Sequence, residues 1–321
     1  MEAFHISPAT WFVLLAALLV FAAPSAAQSA LRHIWAVDDG EKVFRDDIDS
    51  PLKTGEHNSI WDGKTVRLFA ARNEIVAFQV ILEAGDGTAK DVDVLVTDLT
   101  NGESAIRGSH PLPRPDSSIG ADVELFTEHY LHITVPSWHS QTDKGWYTTT
   151  AASPDLAGWI PDALILLSAK PGRGGAPFEI APNTNQGIWV DIYVPKDLPA
   201  GLYVGHIQIT AEGAPAARIA VELEVLEFTL PDENHYRSMI YYSPQNIAAR
   251  HGLTLGPELV EMVLRYHRMA HRHRLELCGR GAWEEAEALK ETLTGSAFTL
   301  ENGYRGPGEG VGNTVFSINT Y

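Results

Sequence analysis

The stretch Gly187–Pro231 decides the fold of this chain; it reads GIWVDIYVPKDLPAGLYVGHIQITAEGAPAARIAVELEVLEFTLP. It contains three runs in which apolar and polar side chains alternate, separated by turn signals at residues 199–201 and 213–215. Successive side chains of a strand point to opposite faces, so each run predicts a strand with one buried face. Gly205, in the middle of the second run, indicates a bulge or a close backbone approach. Three such runs predict consecutive antiparallel strands at the end of a β-sandwich.

The composition limits the classes of partner. The chain has 321 residues, enough for about two domains. It carries 24 basic and 41 acidic residues, a net charge of −17. This balance excludes nucleic-acid binding, which needs clustered Lys and Arg, and fits a neutral partner. The single cysteine, Cys278, excludes an intrachain disulfide and a cysteine-rich zinc site. We predict that it is a buried structural thiol.

Residues 1–27 have the pattern of a signal peptide. The apolar run Trp11–Ala23 is too short for a comfortable membrane span, and small residues follow it at 24–27. We expect cleavage after Ala27, a secreted or periplasmic protein, and no stable membrane span after cleavage. Glu2 and the lack of Lys or Arg before the apolar run leave an uncleaved anchor as the alternative.

Residues 28–231 are predicted to form an N-terminal antiparallel β-sandwich, because alternating runs and turns continue back from Gly187 to the signal peptide. One segment, residues 137–162, is loop-like and carries Trp138, Trp146 and Trp159. These aromatic rings could stack on sugar rings, or they could plug the edge of the sandwich. Plugging is favoured because large aromatic side chains bury most of their area.

The pattern changes after Pro231. Strand-like segments at 237–242 and 275–278 alternate with helical patterns at 255–272 and 283–293. In the first helix the apolar residues recur at spacings of three and four: Leu259, Met262, Val263, Tyr266 and Met269. Strand, helix, strand, helix predicts a parallel α/β unit. Residues 232–321 are far fewer than the roughly 250 of a (β/α)8 barrel. We therefore expect an incomplete barrel and a chain that is part of a longer protein.

Several phrases resemble, in order, the N-terminal sandwich of glycoside hydrolase family 123 and the related domain of unknown function 4091. They are ARNE (residues 71–74), AFQ (77–79), PDAL (161–164), NQGIWV (185–190), PAGLYVG (199–205) and FTLP (228–231). The resemblance implies a sandwich followed by a (β/α)8 barrel. It implies hydrolysis of terminal β-N-acetylgalactosaminides, or N-acetylhexosaminides more broadly, by retaining, substrate-assisted catalysis without a metal or organic cofactor. An Asp–Glu pair late in the barrel would orient the acetamido group and act as acid and base.

The chain departs from that pattern at its catalytic pair. Its one Asp–Glu dipeptide, Asp232–Glu233, follows Pro231 in the predicted linker. Barrel catalysis uses the ends of strands, and a general acid needs a shielded site, so we expect a solvated linker here. The catalytic pair is expected beyond Tyr321, and the 321-residue chain is expected to be inactive.

The ends of the first two barrel strands supply the candidate substrate contacts. Tyr241, Tyr242 and Ser243 end the first predicted strand, and Arg280 follows the second. Barrel enzymes bind substrate at the carboxyl ends of their strands, which makes these four residues the best candidates in the chain.

Two other motifs have alternative interpretations. His267, His271 and His273 include the i, i+4 spacing of a metal site, but neighbouring arginines favour a basic helix end. Residues 306–312 (GPGEGVG) suggest a phosphate loop, yet the spacing is wrong and Glu309 would repel phosphate, so a mobile barrel loop is favoured.

The sequence thus predicts an exported glycoside hydrolase-like protein whose partner is a glycan containing N-acetylhexosamine. The alternative is a non-catalytic carbohydrate-binding or cell-surface module in which the sandwich makes the contacts. The oligomeric state is not predicted.

Overall fold

A computed structural model describes residues 30–109, 121–134, 157–238, 240–278 and 283–314, with the backbone alone for 283–288. The predicted signal peptide, Trp138, Trp146 and Arg280 lie outside these residues. The strands are β1 (Leu31–Asp38), β2 (Thr65–Arg72), β3 (Glu74–Ala84), β4 (Ala89–Val96), β5 (Leu99–Asn101), β6 (Ser104–Ile106), β7 (Val123–Ile133), β8 (Gly158–Leu166), β9 (Phe178–Ile180), β10 (Asn185–Val194), β11 (Gly201–Thr210), β12 (Ala217–Thr229), β13 (Ile240–Tyr241) and β14 (Leu277–Cys278). The helices are α1 (Pro244–His251), α2 (Pro257–Arg272) and α3 (Trp283–Thr294). None of the described helices is long and apolar enough to cross a membrane.

The strands before Pro231 form two packed sheets, which confirms the predicted β-sandwich. One sheet has the order β1-β3-β10-β7-β8, and the other has β2-β12-β11-β4-β9 with β5 and β6 at its side. Their facing sides bury a continuous apolar core that includes Phe78, Ile188, Tyr203 and Val221. Gly205 allows the predicted close approach, because a Cβ there would lie 2.8 Å from the Asp98 carbonyl oxygen.

The three strands of the stretch Gly187–Pro231 are not all neighbours: the predicted pairing holds for β11 and β12 but not for β10. β11 and β12 pair antiparallel, but β10 lies in the opposite sheet between β3 and β7. The connection crosses from one sheet to the other through Pro195 and Pro199, and proline has no N–H with which to continue a ladder. β10 is also buried on both faces rather than one. The start of its outer face is covered by the segment after β1, whose Phe44 and Asp47 carbonyls accept from the Asn185 amide, and its other end by the end of α2, where His273 meets Asp191.

The segment after Pro231 contains a parallel strand pair and three helices. β13 and β14 pair in parallel, and α1 and α2 connect them. The sequence analysis missed α1, although Ser243 caps it and Pro244 occupies its first position. In α2 the buried face includes His267 and His271, whereas Met269, assigned to that face, is 48% exposed. The described residues do not close a barrel.

Three consecutive residues at the end of α2 join this segment to the sandwich. Arg272, 1% exposed, donates to the Ala121 carbonyl at 2.8 Å, and its guanidinium lies 3.7 Å from Glu124 Oε1. His273 Nε2 lies 3.5 Å from Asp191 Oδ2. Arg274 donates to the carbonyls of Pro231 and Asn73, both at 2.8 Å. We call this contact the junction.

Asp232 also belongs to the junction, which corrects the expectation of a solvated linker. Its carboxylate accepts from the Asn73 amide at 2.8 Å, Lys196 Nζ at 3.0 Å and the Gly308 N–H at 3.2 Å. Burial alone would raise its pKa, but these hydrogen bonds lower the pKa of Asp232. Glu233 is exposed, as expected. The Asp232 carboxylate therefore stays ionised, and its three hydrogen bonds fix the chain at this point of the junction.

Replacing Arg272 should separate the two parts of the chain. Arg272→Met leaves Glu124 buried without its cation, and breaking a buried pair in this way costs about 3–5 kcal/mol. The control is Arg265→Met on the same helix, because Arg265 pairs with Glu261 on the surface and such pairs are worth at most about 1 kcal/mol. The free energy of unfolding in urea checks both values. Equal losses for the two variants would contradict the assigned role of Arg272.

Candidate functional site

The carboxyl ends of β13 and β14 bring together three of the predicted substrate contacts. The Tyr242 N–H donates to the Cys278 carbonyl at 3.3 Å, which places Tyr241, Tyr242 and Ser243 beside the end of β14. Tyr241 is 43% exposed and Tyr242 is half-buried. The Ser243 hydroxyl accepts from the Asn246 N–H and contacts Gln245 Oε1, so it serves as the cap of α1. Cys278 is buried, as predicted.

A buried histidine positions Tyr242. His267 Nε2 lies 3.1 Å from the Tyr242 hydroxyl, and the two rings meet edge to face with centroids 5.4 Å apart. Burial, and then the neighbouring His271, lower the pKa of His267 to about 4, so its imidazole is neutral at pH 7. Its Nδ1 lies 3.4 Å from the Asn313 amide nitrogen. A neutral imidazole here orients the tyrosine hydroxyl at the strand edge.

The other histidines do not form a metal site with His267. His271 is 4% exposed and stacks on Phe298; its Nδ1 lies 3.0 Å from Glu276 Oε1 and its Nε2 3.0 Å from the Gly308 carbonyl. Within the described ranges no group of three or more His, Cys, Asp or Glu could hold a metal ion. His271 lies in the basic last turn of α2, as the sequence favoured, and its side chain is buried.

The glycine loop at 306–312 packs against the end of α2. Gly306 and Gly308 are buried, and a Cβ on Gly308 would lie 2.4 Å from His271 Nε2. The Gly308 N–H, which a phosphate would need, donates to Asp232. These contacts argue against a phosphate site and also against the predicted mobile loop.

A cleft lies on the sandwich beside Trp159, the second residue of β8. The cleft has a volume of about 650 Å³. Its lining includes Arg45, Glu128, Tyr130, Trp159, Asn185 and Gln186. The Trp159 ring stacks on His132 at 4.5 Å, and the Arg45 guanidinium lies over it at 4.8 Å. A sugar could stack on Trp159 only by displacing one of these groups, so the sugar-stacking role of Trp159 stays a prediction.

Glu128 is the unusual residue of this cleft. It is 4% exposed, and among the described residues its buried Oε2 has no hydrogen-bond partner. It shares the outer face of β7 with Glu124, four residues earlier. The Glu128 carboxylate lies against Gly187: a Cβ at that position would lie 2.1 Å from Glu128 Oε2, so a larger residue would displace the carboxylate. Burial raises the pKa of Glu128 to about 7, and Lys42 opposes that rise.

A second acceptor in the cleft has no donor. The Asn185 amide nitrogen donates to two carbonyls, but its Oδ1 is buried and unpaired. Sequence reasoning missed both residues. Glu128 interrupts a run of aromatic and β-branched residues, and Asn185 is the first residue of β10, so the signal lay in two polar residues on strands.

Comparisons with known proteins support the fold. No family model and no curated protein matches the sequence. A family 123 glycoside hydrolase from Clostridium perfringens, studied for glycolipid glycan hydrolysis, matches with a TM-score of 0.50 and 13% identity over 76% of this chain. The chain spans only 35% of that structure. A PapD-like domain of human CEP192 and Spo0M from Bacillus subtilis match about half of the chain, each with a TM-score of 0.22, too low to carry an argument. The first likeness shows a family 123-like fold and no more.

The raised pKa of Glu128 predicts a pH-dependent stability. The folded-state pKa of about 7 lies above the ordinary glutamate value of about 4.3. Between about pH 4.3 and about pH 7, therefore, Glu128 is protonated in the folded state and ionised in the unfolded state. Stability should therefore fall as the pH rises from about 4 to about 7, by about 2–3 kcal/mol more than in a Glu128→Gln variant. Glu124, whose pKa burial also raises to about 7, titrates in both proteins and cancels in the comparison.

Urea unfolding across that pH range makes the measurement. Glu179→Gln is the matched control, because Glu179 lines the same cleft but is exposed. Parallel pH profiles for the parent and the Glu128→Gln variant would contradict the assignment.

Proposed function

We propose that this chain is the N-terminal part of a glycoside hydrolase-like protein, with a β-sandwich followed by the opening strands and helices of a (β/α)8 barrel. The order of elements carries the proposal: a two-sheet sandwich leads directly into a parallel β13–α1–α2–β14 unit. The match to a family 123 glycoside hydrolase across 76% of the chain supports the same order.

The proposed substrate class is a glycan with a terminal β-N-acetylgalactosaminide or related N-acetylhexosaminide, cleaved by substrate-assisted catalysis. The required Asp–Glu pair is not supplied by Asp232–Glu233, because Asp232 is ionised and bound by three donors. No residue of this chain is therefore assigned as catalytic. At the strand edge Tyr241 and Tyr242 are proposed to contact the glycan, with His267 orienting the Tyr242 hydroxyl.

The second candidate function is a non-catalytic carbohydrate-binding module. One observation favours it: the sandwich itself carries a cleft of about 650 Å³ with an aromatic side chain and unpaired polar groups. In that case binding would occur without any hydrolysis.

Two measurements on the 321-residue chain test these proposals. We expect no release of nitrophenol from p-nitrophenyl N-acetyl-β-D-galactosaminide, because the catalytic pair is missing. Ligand-observed NMR should detect binding of methyl N-acetyl-β-D-galactosaminide and weaker binding of methyl β-D-galactoside, which lacks the acetamido group. Tyr242→Phe should weaken binding about fivefold, the usual worth of one hydrogen bond.

Tyr236→Phe is the matched control, because Tyr236 is 73% exposed and lies ahead of the strand edge. Turnover by the chain itself would overturn the assignment of catalysis to an absent pair. Failure to bind either sugar would contradict a glycan partner at this edge.

Export is proposed on the signal-peptide pattern of residues 1–27. In a bacterial host the full chain should be processed to a mature protein that begins at Gln28, since small residues precede that position. Intact mass spectrometry of the periplasmic fraction checks the cleavage site. Recovery of the full-length chain in the membrane fraction would support the uncleaved anchor instead.

A further inference from the structure

We infer that the cleft on the sandwich is a separate binding site for a neutral saccharide, in which Glu128 and Asn185 accept hydrogen bonds from hydroxyl groups and Arg45 donates one. The proposed strand-edge site at Tyr242 belongs to other elements, so this inference does not depend on the proposed hydrolase; it deepens the second candidate function, the carbohydrate-binding sandwich, and rests on it. If both hold, one chain binds glycan at two places.

The inference begins with two buried acceptors that lack donors. Glu128 Oε2 and Asn185 Oδ1 both belong to residues that line the cleft, and both oxygens are buried with no partner in the described ranges. Buried polar atoms are nearly always paired, because an unpaired one loses its hydration without compensation. Two such atoms in one cleft indicate a place where donors from a bound molecule complete the site.

A donor without a partner lies in the same cleft. Across the described part of the chain, no hydrogen bond or ion pair to the Arg45 guanidinium is observed; its contact is with the face of Trp159. The backbone of Arg45 is fixed at both sides, by the Trp159 carbonyl and the Asn185 N–H. The guanidinium is thus held over the cleft with its N–H groups available.

The charges select a neutral ligand. Arg45 would repel an amine or another cation, while the exposed Glu179 would repel a carboxylate or phosphate. A hydroxyl group both donates and accepts, so a polyhydroxylated molecule can satisfy the two acceptors and the guanidinium at once. The volume of about 650 Å³ falls within the usual range for small-molecule sites. Phe178 and Ile165 add the apolar lining that the C–H faces of a sugar need.

The test measures binding of three sugars of one shape to the 321-residue chain by ligand-observed NMR and calorimetry. The probes are methyl β-D-galactoside, which is neutral, D-galactosamine, which is cationic, and D-galacturonate, which is anionic. We expect the neutral sugar to bind best. Tighter binding of either charged sugar, or no binding of any of the three, would overturn the inference.

Variants then locate the binding. Glu128→Met should reduce affinity for methyl β-D-galactoside at least tenfold and raise the unfolding midpoint, because it removes an unpaired buried acceptor. Glu224→Met is the control, since Glu224 is an exposed strand residue of the other sheet. Arg45→Met should weaken binding several-fold, and it keeps the test decisive if the Glu128 variant does not fold.

The two proposed sites are separated by the same variants. Loss of binding in Glu128→Met and Arg45→Met but not in Tyr242→Phe supports the cleft. Loss in Tyr242→Phe alone contradicts the cleft and leaves the strand-edge site in place.

Discussion

The buried guanidinium of Arg272 is the interaction on which the arrangement of the two parts depends. Arg272 lies in the last turn of α2. Its Nη2 donates to the Ala121 carbonyl and lies near Glu124 in the sandwich, and its Nη1 donates to the Arg305 carbonyl. A charge that has left water must be paired and hydrogen-bonded. One orientation of α2 on the sheet meets that demand, and His273 and Arg274 add contacts on either side of it.

The outer face of the five-stranded sheet carries a set of buried carboxyl groups, and most of them have a cation. Glu83 pairs with Lys53, Glu124 with Arg272, and Asp191 with His273. Glu128 differs, because no cation lies within ion-pair distance of its carboxylate in the described structure, whereas Glu124, which also has an oxygen without a hydrogen bond, lies 3.7 Å from the Arg272 guanidinium. A carboxyl group left unpaired among paired ones is a local cost in stability, and such costs concentrate at functional sites.

Sequence patterns predicted the local elements well. Period-two alternation identified β10, β11 and β12, and the apolar spacing identified α2 to within two residues. Gly205 and Cys278 also had the predicted environments. Alternation could not predict which strands pair in a sheet: β10 was predicted beside β11, yet it pairs with β3 and β7. The helix α1 was missed because eight residues give too short a pattern for periodicity, and its cap at Ser243 was the available signal.

By itself, the sequence determined the strands β10, β11 and β12 and the helix α2, because those preferences depend on neighbours along the chain. It also placed Tyr241 and Tyr242 at a strand end. The tertiary structure decided which outward faces are covered, and therefore which polar residues are buried. Glu128, Asn185 and Arg272 look like ordinary surface residues in the sequence. Glu128 and Asn185 line the cleft, and Arg272 lies in the junction, only because distant segments fold over the sheet. Burial and hydrogen-bond pairing depend on contacts between residues far apart in the chain.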